Sequence, residues 1–258
     1  MISNNTQQIG TSTPVEVRKV ASNAPFVWLS KGLEDLKRAK VPSLVYGFIF
    51  ALIGLGLILL AKSNPVWSAA FISAFMLIGP FIAIGLYELS RQIEEGEKPC
   101  LLDSIKTVKN NLFNLGMFVV VLGFILMLWL RVAALIAGVF FNDVELITQG
   151  WSVLFSGGRS IEFLMFFTVF GFFIAQIAFS ISVVSIPMLL HRKVDVITAI
   201  TTSLRVVLKN PIPMLIWASF IVVLINLGFL LAFIGLAITL PIIGHASWHA
   251  YRDLVGDE

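Results

Sequence analysis

The chain has 258 residues, of which 58% are apolar and 13% charged, with a formal net charge of +3. Soluble domains carry about 45–50% apolar and about 25% charged residues, so a water-soluble globule of this composition could not cover its own surface. The single cysteine, Cys100, excludes an intrachain disulfide and any cysteine-rich metal motif, and no basic patch on a soluble domain argues for nucleic acid.

Residues 1–25 are polar and lack the apolar stretch of a signal peptide. They are expected to form a disordered tail, carrying too little apolar surface to offset the entropy of ordering. The rest, 26–258, is expected to be one all-α integral membrane domain. Charges are absent from 43–61, 66–87, 112–130, 163–190 and 211–244. Runs of about 18 or more apolar residues read as membrane helices, and backbone groups in lipid must bond internally. The expected crossings are 43–61, 66–90, 112–131, 163–190, 212–231 and 233–251. The last two share a charge-free stretch too long for one crossing at about 1.5 Å per residue, with a turn around Gly228 to Gly235.

Six crossings place both ends on one side. Lysines and arginines cluster in the N-terminal flank, in the loops after the second and fourth crossings, and in the tail. Only Lys62 and Arg159 lie in the opposite loops, and Arg131 lies at a helix end. Positive charge marks the cytoplasmic side, so both termini are expected there, in a multi-pass protein with lipid as its partner. Trp28, Trp217 and Trp248 should mark the inner interface, and Trp67, Trp129 and Trp151 the outer one.

Three short amphipathic stretches each precede a crossing. Their apolar residues recur at helical spacing: Phe26, Leu29, Leu33, Leu36; then Leu101, Ile105, Val108, Leu112; then Val196, Ile200, Leu204, Val207. With bases on the other face, such helices lie along a membrane surface and attract anionic lipid. The ends of the even crossings also match. "PFIAIGLYELSR" aligns with "PIIGHASWHAYR", pairing Pro80 with Pro241, Glu88 with His249 and Arg91 with Arg252, while Pro187 supplies the middle copy. The expected architecture is three repeats, about 26–96, 97–193 and 194–255, each a surface helix plus a hairpin. Proline kinks a helix and frees a carbonyl.

His245 and His249 stand four apart, on one helical face, and His191 occupies the repeat position of His245. Imidazoles at this spacing suit a metal or haem, or else form the polar end of a helix. Glu88 is the one carboxylate in a matching place, and second-shell support for a metal would need more. Arg131 is expected to snorkel at the outer interface, with Glu162 within reach. "GFIFALIGLG" carries Gly47, Ala51 and Gly54 at a spacing suited to helix contact. No catalytic motif is present, so no catalytic residue and no firm cofactor or protein partner is assigned.

"SVVSIPMLLHRKVDVITAITTSLRVVLKNPIPMLIWA", "LPIIGHASWHAYRDLV", "PSLVYG" and "IGPFIAIGLYELSR" resemble stretches of a bacterial family of predicted integral membrane proteins, domain of unknown function 2189. The resemblance implies a polytopic protein of the bacterial cytoplasmic membrane and supplies no activity. The family pattern carries an acidic residue where this chain has His191, so only His245 and His249 carry over as motif residues. The expected function is non-enzymatic: a small transporter, a channel-like element or a scaffold. The alternative is a metal- or haem-binding protein tied to respiration through His245 and His249.

Overall fold

A computed structural model describes residues 15–61, 83–110, 112–141, 159–231 and 233–256. These fold as helices: α1 (Ala24–Arg38), α2 (Lys40–Ala61), α3 (residues 83–94), α4 (Leu101–Asn110), α5 (Leu112–Phe140), α6 (Ser160–Ser182), α7 (Ser185–His191), α8 (Val196–Lys209), α9 (Pro211–Leu230) and α10 (Leu236–Leu254). One antiparallel bridge, Val17 to Val255, is the β-type pairing among the described residues.

Among the described residues three runs are long and apolar enough to cross a membrane: Leu112–Phe140, Ser160–His191 and Pro211–Leu230. A fourth qualifies if α1 and the start of α2, which meet at 104°, are counted together. α1 itself carries Lys31, Glu34, Asp35, Lys37 and Arg38 and lies outside the spans. The expected crossing at 233–251 corresponds to α10, which is not among these runs. Its second half carries His245, His249, Arg252 and Asp253. The segment with Trp67 and the Pro80 kink, and the outer loop with Trp151, Gly157 and Gly158, lie outside the described residues.

α10 is the centre of the molecule. α1, α2 and α9 pack along it, and α7 touches its end. From Pro241 to Tyr251 every residue but His249 is buried. Trp28, Trp217 and Trp248 were expected to anchor in headgroups, yet all three are fully buried. Trp28 stands edge-on to Trp217, with ring centroids 5.9 Å apart and planes at 89°. For two of them the partners explain the difference: the Trp28 indole donates to Asp253 and the Trp248 indole to Glu94, each at 2.7 Å, so carboxylates of the protein satisfy their polar edges.

Pro241 lies inside α10 and lacks the amide that would reach back to the Ala237 carbonyl. Gly47 of α2 packs its backbone against that carbonyl: a Cβ added at Gly47 would lie 2.2 Å from Ala237 O. The smallest residue of one helix thus covers the carbonyl that proline frees in the next, an approach of the Cα–H···O kind. Pro187 behaves differently. The run expected at 163–190 ends at Ser182 and restarts at Ser185, so proline falls in the first turn of α7, where its missing amide costs little. The Ser185 hydroxyl donates to the Ile181 carbonyl across this break.

α5 and α6 form a second layer joined by aromatic rings. Trp129 meets Phe167 at 4.8 Å, and Phe140 and Phe141 meet Phe163 at 6.3 and 5.1 Å. α5 runs on to Phe140 instead of stopping near Arg131, because "VAALIAGVF" continues the helical apolar pattern. This register sets Arg131 nearer the level of Phe167 than of Glu162. Neither residue forms an ion pair among the described residues, and both are exposed.

The three amphipathic stretches are indeed short helices, α1, α4 and α8, each separated from the following long helix by a single residue. Their protein-facing residues include small and polar ones, Gly32 and Asp35 in α1, Ser104 in α4, and Ala199, Thr202 and Ser203 in α8, together with Trp28, Val206 and, of the expected apolar faces, Val196. Phe26, Leu33, Ile105 and Leu204 of the expected apolar faces stay exposed, as on helices that turn an apolar face to lipid.

Residues 15–20, expected within a disordered tail, are held in place. Arg18 N donates to Leu254 O at 2.8 Å and Gly256 N to Glu16 O at 3.1 Å. The buried Asn210 side chain, at the elbow between α8 and α9, accepts from Val20 N and donates to Arg18 O, each at 2.9 Å. Lys209 caps the Val17 carbonyl at 2.7 Å. Backbone bonding supplies the order that composition alone did not suggest.

The glycine contact yields a prediction. Gly47→Val should destabilise the protein by about 1–3 kcal/mol or more through overpacking. Gly123→Ala, where an added Cβ meets nothing within 4 Å, should be neutral or stabilising by up to about 1 kcal/mol. Thermal unfolding in detergent compares the two; equal midpoints would reject the contact.

Candidate functional site

At the end of the bundle where α1, α2, α3 and α10 converge, five side chains form one hydrogen-bonded chain. Ser43 Oγ meets His245 Nε2 at 2.8 Å. His245 Nδ1 meets Ser90 Oγ at 2.7 Å. Ser90 Oγ donates to Asp35 Oδ2 at 2.8 Å, and His249 Nε2 reaches the same oxygen at 2.8 Å. Ser43, Ser90 and His245 are fully buried and Asp35 nearly so. His249 is 16% exposed at the side chain.

Chemistry sets the direction of these bonds. Ionised Asp35 only accepts. Ser90 therefore gives its one proton to Asp35, and its oxygen accepts from His245 Nδ1–H. In the neutral ring this leaves Nε2 to accept the Ser43 proton, while His249 donates from Nε2 to Asp35. Burial pushes the Asp35 carboxyl upward, but hydrogen bonds from His249 and Ser90 outweigh it and hold the group below its ordinary 3.8.

His191 is not part of this chain. Its Nδ1 meets the Tyr251 hydroxyl at 2.9 Å, and Arg192 donates to the same oxygen at 3.1 Å. Tyr251 accepts from Arg192 and donates to His191. The two α10 histidines share a face, as their spacing requires, but His245 turns inward to serines and His249 to a carboxylate. Among the described residues no group of three His, Cys, Asp or Glu is arranged to hold a metal ion.

Glu88 and Arg252 take separate partners. Buried Glu88 is gripped by Arg91 through two bonds of 2.8 and 2.6 Å, and Gln92 adds a longer one. Arg252 donates to Glu94 at 3.0 Å. Beside the chain lies a polar cavity of about 470 Å3, lined by Lys31, Glu34, Asp35, Arg38, Ile93, Glu94, His249, Arg252 and Asp253.

Asp35, Ser43, Ser90, Glu94 and Asp253 are the residues that sequence reading missed. One signal was available. Trp28, Gly32 and Asp35 fall at i, i+4 and i+7, a single stripe of α1, and this is the stripe that packs on α10.

With this geometry in view, the comparisons place the chain. Residues 68–191 match the family described as predicted integral membrane protein (DUF2189). Over those residues the chain is similar to this family. The DUF2189 match runs from before α3 through α7 and ends at His191, so α1, α2 and the "GHASWHAYR" end of α10 lie outside it. It makes the protein an integral membrane protein and assigns no activity. A search of the curated proteins and of the solved structures found no match.

Asp35 supports a pH prediction. Its folded-state value is depressed, so its contribution to stability is full above 3.8 and is lost as pH falls through the folded value. Asp35→Asn should lower stability at neutral pH by about 1–3 kcal/mol, since it removes the acceptor shared by Ser90 and His249. Unfolding midpoints of parent and variant should converge on acidification below the carboxylate range. A constant gap would sink the assignment.

Proposed function

We propose that the protein is a non-enzymatic, polytopic component of the bacterial cytoplasmic membrane. It crosses six times as three hairpin repeats, about 26–96, 97–193 and 194–255, with both termini in the cytoplasm. Its role is that of a scaffold in preference to a conduit. The observation that carries this is the bridge from Val17 to Val255. Two ends bonded to each other lie on one side, which favours an even number of crossings. The single-residue breaks between α1 and α2 and between α8 and α9 support the repeat. The clustering of lysine and arginine supports a cytoplasmic inner end.

The scaffold reading draws on the packing around α10. Trp28, Met188, Trp217, Ala246, Trp248 and Tyr251 fill its surroundings with no measurable exposure. A static core of this density suits a protein that holds its shape.

Topology is open to direct measurement. In a Cys100→Ser background, single cysteines at Lys62, Arg159, Lys98 and Gly256 would be probed with a membrane-impermeant maleimide. Lys62→Cys and Arg159→Cys should label in intact spheroplasts, and Lys98→Cys and Gly256→Cys only after lysis. Labelling of Gly256→Cys from outside would overturn the six-crossing frame. Proton flux above that of empty vesicles, read by a trapped pH dye in proteoliposomes, would replace the scaffold with a transporter.

A further inference from the structure

The cavity between α1, α3 and α10 is a polar hollow whose charged groups divide into two sets. Three of its carboxylates are engaged. Asp35 accepts from His249 and Ser90, Glu94 from Trp248 and Arg252, and Asp253 from Trp28. The other set makes no hydrogen bond or ion pair among the described residues: Lys31, Glu34 and Arg38. They fall at i, i+3 and i+7 on α1 and so line the same side of the cavity. An acid stands between two bases in this row. His249 adds a further group, because Asp35 occupies its Nε2 and its Nδ1 has no hydrogen bond among the described residues.

We infer that this cavity binds a phosphate-bearing headgroup with an amine beside the phosphate, of the phosphoethanolamine kind, its phosphate held by Lys31 and Arg38 and its ammonium by Glu34.

The charge pattern carries the argument. Two unengaged cations suit the several oxygens of a phosphate, for which arginine and lysine are the usual donors. An unengaged carboxylate among them would repel a bare anion and would welcome an ammonium. The volume of about 470 Å3 lies within the range of about 300–1,000 Å3 typical of small-molecule sites, more than an isolated ion needs. Ile93 gives the wall an apolar element, and Leu33 of α1 is exposed on the same helix. His249 is oriented by Asp35 from behind, the arrangement that fixes an imidazole toward a ligand. The source of the headgroup is either a lipid of the inner leaflet or a free phosphoethanolamine. The lipid source rests on the cytoplasmic placement proposed above; the site itself does not.

Calorimetric titration of the full chain in a phosphate-free maltoside detergent would compare O-phosphoethanolamine with inorganic phosphate. The parent should bind phosphoethanolamine more tightly. Lys31→Gln with Arg38→Gln should weaken both ligands by at least about tenfold, the loss of one charge-assisted contact or more. Glu34→Gln should remove the preference while keeping phosphate binding. Lys98→Gln with Lys193→Gln, at exposed bases outside the cavity, should change nothing. These groups engage no partner, so unfolding midpoints should stay at the parent value and separate lost binding from lost folding.

Nanodiscs assign the source. Retention of phosphatidylethanolamine over phosphatidylcholine by the parent, lost in the double variant, assigns a lipid. Binding of the free compound alone assigns a soluble ligand. The proposal fails if the parent binds neither form, if the double variant binds as the parent does, or if Glu34→Gln retains the preference. Because the titration is made in detergent, its failure is independent of the crossing number.

Discussion

The structure depends on one constraint: α10 brings histidine, serine, tryptophan, tyrosine and arginine into the middle of an apolar protein, and each polar atom there needs a partner. A buried, unbonded polar group costs about 1–3 kcal/mol, so the helix can sit at the centre only if its neighbours supply the complement. They do so from distant parts of the sequence. α1 contributes Asp35, α2 contributes Ser43, and α3 contributes Ser90 and Glu94. Exchanging any one of these helices would leave at least one buried group of α10 unpaired. The exceptions among the described residues are the hydroxyl of Thr239, on α10 itself, and the indole nitrogen of Trp217, both buried without a hydrogen-bond partner; the Trp217 ring stands edge-on to Trp28.

The same economy of contact governs how helices approach. Where backbones come together, the meeting residues are glycine, alanine or serine. Gly47 lies on Ala237, Gly32 on Ala246, and Ser203 donates to the Ser180 carbonyl at 2.8 Å. In lipid there is no hydrophobic drive to press apolar faces together, so close packing of small residues and bonds between helices do that work. On the long helices many large side chains are then left to the outside. On α5 and α6 the exposed set includes Phe124, Met127, Leu135, Phe170 and Phe173, which would be untenable in water and is ordinary against acyl chains.

This division explains which parts of the fold could be read from sequence. α5 and α9 announce themselves in the charge-free runs 112–130 and 211–244, each at least about as long as a crossing needs. Pro241 inside an apolar pattern gives a helix with a freed carbonyl. The surface helices were legible as helices with an apolar face for the membrane, and Phe26, Leu33, Ile105 and Leu204 are exposed on that face. The opposite stripe was not legible: on α1 it is Trp28, Gly32 and Asp35 that meet the rest of the protein. Trp28, Trp217 and Trp248 were read as headgroup anchors and are buried instead. The histidine pair was visible from its spacing. Its partners were not, because Asp35, Ser43 and Ser90 are each unremarkable in their own segments and acquire meaning only when the tertiary fold assembles them.

The clasp between the chain's two ends has a consequence for how the molecule is made. Trp28 bonds Asp253 across 225 positions, and Asp35 bonds His249 across 214. During synthesis α1 emerges early and has no partner until α10 has followed it, so its contact stripe stays open while the intervening helices enter the bilayer one after another. Closure is therefore a late event, governed by the slow meeting of remote segments and not by local helix formation. The segment at 15–20 can be seated only after residues 254–256 have been made.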